Sequence, residues 1–432
     1  MKYHKNFYNI EVETPEGLLL YNILNKNFVL LEREYEEFYR NFPQISSEPL
    51  LQEFLEGGFI LSEDIDERAY YLRNFVTSRY FSRKLMFTIV PTSACNFRCT
   101  YCFESGIKYK NMTSEILANT KAFIEKRTEL FKPERVEVTI YGGEPLLYLE
   151  RVVEFGRFFK ELSKEKGFAL SGDIVTNGYL LDLQAATLIY NEASINTAQI
   201  TLDGPPEVHD KRRFLSGGLK SFDRIISNIS EIVNSELGFK VRIRVNVDKS
   251  NVESVGQLLR ILSEYRGPKL EVYFSPVTGE KDKNCNQAGL FSIKEFGEIY
   301  MRKIVPWLLE YGFEFDLYPP MSYVFCAGVT PFHYMIDADG TIKKCFDLVG
   351  RDEESIGTVT DYREDHKHVL KWETMSLIDS NCEYCKFLPL CGGGCPYQRL
   401  KTGKSLCEMW KYILYDWLIM VYHLKKKEVF RQ

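Results

Sequence analysis

The amino-acid sequence predicts an α/β fold, a partial (β/α)6 barrel of the TIM type between a small N-terminal unit and a cysteine-rich C-terminal unit. From about residue 85, six short β-rich apolar runs alternate with amphipathic segments, which is typical of parallel βα units with right-handed crossovers. Polar or glycine-rich motifs follow five of the six runs directly. Any one of them alone could be an ordinary turn. Their shared position favours a functional site at the carboxyl ends of the strands.

The first unit is predicted to span residues 1–75 and to combine strands with helices. Strand-like stretches come first and helical periodicity follows, at residues 9–23, 26–32, 33–42 and 48–58. A helical segment over residues 66–83 is expected to connect this unit to the barrel. We therefore expect a small, separate α+β domain.

The barrel is predicted to span residues 76–310. Its six strands are expected within residues 84–93, 135–143, 172–178, 197–204, 240–248 and 270–277. Amphipathic helices are expected at residues 114–131, 149–165 and 221–236.

The last unit is predicted to span residues 311–432. Strand–helix alternation ends near residue 320, and a region rich in cysteine, glycine and turn residues follows. An amphipathic helix over residues 409–424 closes the chain. Lys411 and Asp416 interrupt its apolar surface, so we expect it to pack against the protein and not to cross a membrane.

The charge balance and the N-terminus argue against several partners. Lys and Arg number 55 and Asp and Glu 60, which gives a net charge of −5 and no excess positive charge for nucleic acid. The first ten residues lack the apolar core of a secretory signal. We expect a cytoplasmic protein that binds neither nucleic acid nor a membrane.

The eleven cysteines form two groups and one isolated residue, Cys285. Cytosolic thiols are kept reduced, so metal ligation explains these cysteines better than a disulfide framework. The first group is Cys95, Cys99 and Cys102, which directly follow the first predicted strand of the barrel. They are close enough in sequence to bind one iron–sulfur cluster, or one zinc ion with a fourth ligand from elsewhere. On a four-iron cluster, three thiolates leave one iron open to a substrate.

The spacing C-x3-C-x2-C, with Tyr101 before the last cysteine, resembles the signature of the radical S-adenosylmethionine (SAM) superfamily. The motifs YGGEP, TNG and TLDGPPEVHDKRR follow in the order of that superfamily. The resemblance implies a [4Fe–4S] cluster on the three cysteines and SAM contacts from Tyr101, Gly143, Glu144, Asn177, Thr201, Arg213 and Val277. In it, a carboxylate pairs with the amino group of SAM, an arginine pairs with carboxylate or ribose oxygens, and the tyrosine packs on adenine. For Tyr101, Thr201 and Val277, a role in the core or in a strand remains open.

The second cysteine group resembles the SPASM domain, the auxiliary-cluster extension of certain radical SAM enzymes. The resemblance implies an outer [4Fe–4S] cluster on four cysteines, Cys382, Cys385, Cys391 and Cys407. It implies an inner [4Fe–4S] cluster on Cys326, Cys345 and Cys395. The chain would then hold three clusters. Paired zinc knuckles are the alternative.

The inner cluster has only three cysteine ligands in this interpretation. Anaerobic sulfatase-maturing enzymes have a further cysteine shortly before the position of Cys326, whereas residues 316–325 contain none. The missing ligand leaves an open iron that could bind a substrate thiolate, or it comes from elsewhere, for example from Cys285.

Residues 1–75 resemble the small winged-helix peptide-recognition domain of enzymes that modify ribosomally made peptides. Such a domain binds the leader of a precursor peptide as an added strand. The alternative is a packing extension that seals the open edge of the barrel.

Together these resemblances predict a radical SAM peptide maturase. It would cleave SAM reductively to a 5′-deoxyadenosyl radical, abstract hydrogen from a ribosomally made precursor peptide, and form an oxidative crosslink, a cysteine thioether. A flavodoxin or ferredoxin would donate electrons, and the outer cluster would accept the surplus electron. The alternatives are formylglycine formation of the sulfatase-maturing type, carbon–carbon crosslinking of a peptide, and a zinc-bound peptide-binding scaffold without chemistry.

Two residues depart from the sulfatase-maturing enzymes. Tyr141 stands where they carry glutamine, and Phe346 stands where their catalytic aspartate directly follows the cysteine equivalent to Cys345. Asp347, one residue later, is therefore the candidate base, although an exposed turn aspartate is the commoner case.

Overall fold

The N-terminal part is an antiparallel α+β unit. The computed structural model describes residues 2–44, 47–277, 289–324, 326–351 and 354–429. The first elements are β1 (Tyr3–Lys5), β2 (Asn9–Thr14), β3 (Gly17–Asn22), β4 (Phe28–Leu30), α1 (Arg33–Asn41), α2 (Glu48–Glu56), β5 (Ile60–Ser62) and α3 (Glu67–Tyr80). Strands β2, β3 and β4 form one antiparallel sheet in that order, and β1 pairs with β5.

Both faces of the three-stranded sheet are apolar, and its own helices cover only one of them. Leu18 and Leu20 pack with α1 and α2. Leu19 and Tyr21, on the other face, share a core with the C-terminal part of the chain, and the Tyr21 ring stacks on Tyr318 at 5.7 Å. The unit is thus less separate than the sequence suggests, because alternate residues of one fully buried strand serve two cores.

A buried arginine joins α3 to the C-terminal part of the chain. Arg79 is 3% exposed and donates hydrogen bonds to four main-chain oxygens. The acceptors are Val329 at 3.0 Å, Met375 at 2.8 Å, Trp372 at 3.2 Å and Glu373 at 2.9 Å. A buried guanidinium is tolerated only when its donors are satisfied, so these bonds fix the helix in place.

The centre of the molecule is the predicted partial barrel, with six parallel strands that lie side by side in chain order. They are β6 (Lys84–Ile89), β7 (Arg135–Ile140), β8 (Ala169–Thr176), β9 (Ile195–Thr201), β10 (Lys240–Val247) and β11 (Leu270–Pro276). The helices are α4 (Ser114–Phe131), α5 (Leu149–Lys166), α6 (Leu183–Ala193), α7 (Pro206–Arg212), α8 (Phe222–Asn234) and α9 (Val255–Leu262). All six strands and helices α4, α5 and α8 are confirmed, whereas the sequence patterns did not predict the shorter α6, α7 and α9.

Side chains of the barrel strands alternate between the helix-covered face and an open face, which we call the lumen. On β10, Val241 and Ile243 are fully buried beneath the helices. Arg242 and Arg244 alternate with them and point to the lumen. The lumen is therefore polar, whereas the opposite face carries the hydrophobic core.

The sheet continues past β6 into the C-terminal part of the chain. Strand β12 (His333–Ile336) pairs in parallel with β6, and β13 (Thr341–Lys343) and β14 (Gly357–Thr358) follow it in antiparallel pairs. The sequence pattern places the end of the alternation near residue 320. Because β12 has only four residues and lies among turns, periodicity does not reveal it.

The remaining helices follow the barrel strands along the chain. They are α10 (Ile293–Ile299), α11 (Val305–Glu310), α12 (Lys367–Glu373), α13 (Ser380–Glu383), α14 (Leu388–Cys391), α15 (Pro396–Thr402) and α16 (Trp410–Val429). As expected, the closing helix α16 packs on the protein, with Ile413, Trp417 and Val421 in a cluster with Val305. Across the described residues, no helix combines the length and the apolar character that crossing a membrane requires.

Candidate active site

The loop between β6 and α4 carries the first three cysteines and is hydrogen-bonded to the last residue of α7 and to the segment after it. The amide of Arg98 donates to the oxygen of Phe214 at 2.8 Å, and the amide of Thr100 donates to the oxygen of Arg212 at 3.0 Å. These main-chain bonds fix the cysteine loop beside the carboxyl ends of the neighbouring strands.

Cys95, Cys99 and Cys102 form one group of partly buried thiols. Burial is the main cause that raises the pKa of Cys95 to about 12 and that of Cys102 to about 11. Smaller contributions come from a nearby carboxylate, Glu144 for Cys95 and Glu104 for Cys102, and from Cys99 for both. Neighbouring thiols that are protonated in the free protein release protons when a cation binds to them. This donor set fits an iron–sulfur cluster with three protein ligands.

Two glycines bring the end of β7 against the cysteine loop. Gly142 has a φ of +132°, and a Cβ there would overlap the oxygen of Thr92. A Cβ on Gly143 would lie 2.5 Å from the oxygen of Ser93 and would overlap that of Ala94. The amide of Gly143 donates to Thr92 at 3.2 Å. A side chain on Gly143 would therefore push the cysteine loop away.

Glu144 places a buried carboxylate next to the loop. Its side chain is fully buried and accepts hydrogen bonds from the Leu146 amide at 3.0 Å, the Thr176 hydroxyl at 2.8 Å and the Asn177 amide at 2.7 Å. Burial raises the pKa of Glu144, although these bonds and the nearby Arg213 act in the opposite direction.

Arg213 places a buried guanidinium near the same thiols. It is 9% exposed, its Nη1 donates to the Tyr101 hydroxyl at 3.0 Å, and its Nε has no partner among the described residues. Burial acts to lower the pKa of Arg213, but the nearby Cys99, Tyr101 and Asp203 outweigh burial and raise it well above its usual value. A buried carboxylate and a guanidinium with unused donors fit the amino and carboxylate groups of the methionyl part of SAM.

The Tyr101 hydroxyl is the centre of a hydrogen-bond network. It donates to Oδ2 of Asp203 and accepts from Arg213 and, at 3.2 Å, from Nδ2 of Asn246. The Arg212 guanidinium lies 5.0 Å from the centre of the tyrosine ring. Sequence reasoning did not identify Asp203 or Asn246. The available signal for Asp203 was its place in the TLDGP motif, directly after a strand.

The other predicted SAM contacts also lie at the carboxyl ends of strands. Asn177 donates from Nδ2 to Oδ1 of Asn96 at 2.7 Å, so its side chain holds the cysteine loop. Thr201 is the last residue of β9 and is 8% exposed. Val277 follows β11 directly and is equally buried.

Cys326, Cys345 and Cys395 form a second group. Burial is the main cause that raises the pKa of Cys326 and Cys345, and nearby thiols of the group raise both further. Gly328 permits this arrangement, because a Cβ there would overlap the oxygen of Lys344. The loops that carry Cys326 and Cys345 therefore meet at a glycine.

Cys382, Cys385, Cys391 and Cys407 line a cavity of about 620 Å³. After burial, Cys382 and Cys407 contribute to raising the pKa of both Cys385 and Cys391. Lys411 donates from Nζ to the sulfur of Cys407 at 3.5 Å. Four thiols around one cavity fit the complete ligand set of a cluster.

The ten described cysteines thus lie in the three groups that the resemblance implies, and their ligand roles stay predictions. Over the described ranges, no three His, Cys, Asp or Glu side chains are placed to hold a single metal ion. Cys285, the alternative fourth ligand of the inner group, lies outside the described residues.

The charged side chains of Glu104, Arg244 and Asp347 lie near Tyr141, beside the first and second cysteine groups, and we call these four residues the chamber. The ring of Tyr141 meets that of Phe346 edge-on at 5.0 Å. Burial raises the pKa of Tyr141 well above its usual value, Glu104 and Asp347 raise it further, and Arg244 lowers it. Burial also raises the pKa of Glu104 to about 8. The predicted base Asp347 therefore lies near Tyr141, which Glu104 and Arg244 also approach, and sequence reasoning proposed no site role for these three residues.

Comparison with known proteins gives one consistent family. The family model described as "Radical SAM superfamily" matches residues 89–262. An Fe-coproporphyrin III synthase of Methanosarcina barkeri is 27% identical over 45% of this chain and 45% of its own length, so less than half of that relative is matched. A cysteine-type anaerobic sulfatase-maturating enzyme of Clostridium perfringens is 22% identical over 73% of this chain and 88% of its own length.

Two solved structures share the fold. Native anSMEcpe with bound AdoMet has a TM-score of 0.62 and 18% identity, over 78% of this chain and all of that one. Streptococcus suis SuiB bound to S-adenosylmethionine has a TM-score of 0.56 and 14% identity, over 93% of this chain and 97% of that one. Residues 89–262, which carry the three-cysteine loop, Glu144 and Arg213, form a radical SAM domain, the domain of a superfamily whose enzymes use a [4Fe–4S] cluster and SAM.

Proposed function

We propose that this chain is a radical SAM peptide maturase that forms a cysteine thioether in a ribosomally made precursor peptide. The observation that carries the proposal is the placement of the cysteines. Three thiols lie near Glu144 and Arg213, three lie near the chamber, and four line the outer cavity.

Residues of the first group would bind and orient SAM. The cluster and SAM, when bound, supply a 5′-deoxyadenosyl radical that abstracts a hydrogen atom from the peptide. Glu144 would face the amino group of SAM and Arg213 its carboxylate, because these buried charges are opposite in sign and lie near the same thiols. Tyr101, Gly143, Asn177, Thr201 and Val277 would complete the site.

The second group would hold the sulfur that the peptide contributes. Cys326, Cys345 and Cys395 would supply three ligands of an iron–sulfur cluster, and the thiolate of a substrate cysteine would be the fourth. Thioether formation removes two hydrogens from the peptide. One leaves as an atom to the radical, and the other leaves the substrate thiol as a proton, for which the Asp347 carboxylate is the nearby acceptor. The four outer thiols would hold the cluster that takes up the remaining electron, and a flavodoxin or ferredoxin would exchange electrons with the enzyme.

The N-terminal sheet would bind the leader of the precursor. Strand β4 pairs with β3 on one side and is the edge of the described sheet on the other. An extended peptide can add to such an edge through main-chain hydrogen bonds. SuiB, whose fold is similar, has been solved with its precursor peptide SuiA. The shared core around Tyr21 and Tyr318 also supports the alternative role as a packing extension.

A second candidate function is formylglycine formation on a peptide. The similarity to a sulfatase-maturating enzyme over 88% of that enzyme favours it. Phe346 directly after Cys345 and Tyr141 before the two glycines depart from the residues expected for that activity. A carbon–carbon crosslink would use the same cysteine groups.

The test is anaerobic reconstitution followed by incubation with SAM and a cysteine-containing peptide encoded beside the gene. We expect about twelve iron atoms per chain, production of 5′-deoxyadenosine, and a peptide that has lost two hydrogens by mass spectrometry. A matched variant with Ala at positions 95, 99 and 102 should keep about eight iron atoms and modify nothing.

The possible outcomes separate the candidates. A peptide aldehyde instead of a crosslink would favour the second candidate. Colourless protein that holds zinc and does not cleave SAM would contradict both enzymatic proposals and support the scaffold.

A further inference from the structure

The hydroxyl of Tyr101 has its hydrogen-bonding capacity fully used by three side chains. A phenol donates one hydrogen bond and accepts two. Here the phenol oxygen accepts two hydrogen bonds, from Nη1 of Arg213 at 3.0 Å and from Nδ2 of Asn246 at 3.2 Å. Because a guanidinium can only donate, the hydroxyl hydrogen points to Asp203, the third neighbour.

Asp203 is itself fixed from several sides. Its side chain is fully buried, Oδ1 accepts from the Asn246 amide at 3.2 Å, and Oδ2 lies 3.4 Å from Nε of Arg212. Its own amide donates to Nδ1 of His209 at 3.3 Å. The carboxylate therefore cannot turn away from Tyr101 without leaving buried donors unsatisfied.

Arg213 depends on this phenol for its orientation. Among the described residues, the bond to Tyr101 is the one side-chain hydrogen bond that the guanidinium makes. The Phe97 ring, 5.9 Å from the guanidinium carbon, offers a face but no acceptor. If the phenol oxygen were absent, nothing described would hold Nη1, and the buried Nε already lacks a partner.

We propose that Asp203 and Tyr101 act in series to aim Arg213 at the carboxylate of SAM. Asp203 holds the hydroxyl hydrogen, which leaves the lone pairs of the phenol for Arg213, and the remaining guanidinium donors then face the ligand. Asp203 is thus a positioning residue that acts through Tyr101. The hydroxyl of Tyr101, and not only its ring, serves SAM binding. This inference rests on the proposed SAM site.

Tyr101→Phe tests the relay, because it keeps the ring and removes the hydroxyl. With anaerobically reconstituted protein, we expect the Kd for SAM by calorimetry to rise about tenfold or more, the usual worth of a hydrogen bond to a charged group. Asp203→Asn should weaken SAM binding similarly. Iron content and the electron paramagnetic resonance signal without SAM should stay unchanged in both variants.

The double variant separates positioning from general damage. Since both residues act through one phenol oxygen, the double variant should bind SAM no worse than the weaker single variant. The relay would be overturned if the rise in Kd for SAM in the double variant equalled the product of the rises in the two single variants. It would also be overturned if the Tyr101→Phe protein bound SAM as tightly as the wild type. If Asp203→Asn does not reconstitute, the result for Tyr101→Phe still decides.

The control is Tyr273→Phe, which removes a different phenol hydroxyl from the same barrel. Tyr273 donates to Oε1 of Gln199 at 2.6 Å and makes no bond to Arg213. Its Kd for SAM should stay within about twofold of the wild type. Wild-type protein that does not bind SAM would contradict the proposed function itself, so the two failures can be told apart.

Discussion

At the scale of single residues, two glycines determine how closely the segments that carry the cysteines approach their neighbours. A Cβ on Gly143 would overlap the oxygen of Ala94 in the first cysteine loop, and a Cβ on Gly328 would overlap that of Lys344, next to Cys345. Glycine permits two backbones to approach this closely because it has no Cβ. The geometry of the first and second cysteine groups therefore depends on these two glycines as well as on the cysteines.

Gly328→Ala should selectively disturb the inner group. The added methyl must displace the main chain at Lys344, which moves Cys345 away from Cys326. We expect reconstituted protein to lose about four of about twelve iron atoms, measured by iron analysis. SAM cleavage should persist. Gly217→Ala, where a Cβ meets nothing within 4 Å, is the control. Full iron content in the Gly328 variant would contradict this explanation.

His333 should make the fold sensitive to acid. Burial, with a smaller contribution from Lys344, lowers the pKa of His333 to about 3. In the unfolded chain the pKa is about 6.5, so the unfolded state binds the proton first. The contribution of neutral His333 to the free energy of unfolding is therefore fully present above pH 6.5. It decreases as the pH falls from 6.5 toward 3, by at most about 1.4 kcal/mol per pH unit.

The measurement is the thermal unfolding midpoint at pH 7 and at pH 5.5, under anaerobic conditions. We expect His333→Gln to lose less between these two pH values than the wild type does. Equal losses in the two proteins would show that His333 is not the group that titrates.

At the scale of elements, α5 and α6 touch at their backbones. A Cβ on Gly156 of α5 would overlap the Cβ and Cα of Ala193 at the end of α6. Gly156→Ala should therefore force the helices apart and destabilise the protein by about 1–3 kcal/mol, the usual cost of overpacking. Thermal unfolding would measure it, with Gly217→Ala expected within about 0.5 kcal/mol of wild type. A stabilised Gly156 variant would mean that helix propensity outweighs the contact.

Sequence patterns predicted long elements and failed on short ones, for a physical reason. The six barrel strands and helices α4, α5 and α8 are long enough for their periodicity to be visible. Strand β12 has four residues, too few to show alternation, and its place beside β6 depends on contacts between distant segments.

The site divides in the same way. Spacing along the chain was enough to suggest the first cysteine group, because its members lie on one short loop. The division of the other seven between an inner and an outer group came from the resemblance to the SPASM domain, because Cys326, Cys345 and Cys395 lie far apart in sequence. The bond between Tyr101 and Asp203 and the chamber around Tyr141 could not be predicted, because each joins side chains from segments far apart in sequence.

At the scale of the whole molecule, the N-terminal unit and the C-terminal part share one core. Buried residues of β2 and β3 pack with Leu388, Leu414 and Leu418, and Lys386 donates to the main chain of Asn9 at 3.1 Å. The three-stranded sheet thus covers apolar surface that would otherwise face water.

Removal of residues 1–64 should therefore do more than abolish the proposed binding of a leader peptide. The apolar face that includes Leu414 and Leu418 would be exposed, so we expect a lower unfolding midpoint and aggregation during purification. Scanning calorimetry and size-exclusion chromatography would show both. A truncated protein that stays monomeric with an unchanged midpoint would indicate that the unit is an independent domain after all.

The parallel pair of β6 and β12 attaches the C-terminal part of the chain to the barrel in a defined register. Ile89 pairs with Ile336, and each strand leads into a loop with cysteines, the first at Cys95 and the second, after β13, at Cys345. The relative position of the two cysteine loops thus depends on the register of the main-chain hydrogen bonds between β6 and β12, and on the hairpin from β12 to β13. A shift of β12 by one residue against β6 would turn its side chains to the opposite faces of the sheet and would move the two cysteine loops relative to each other.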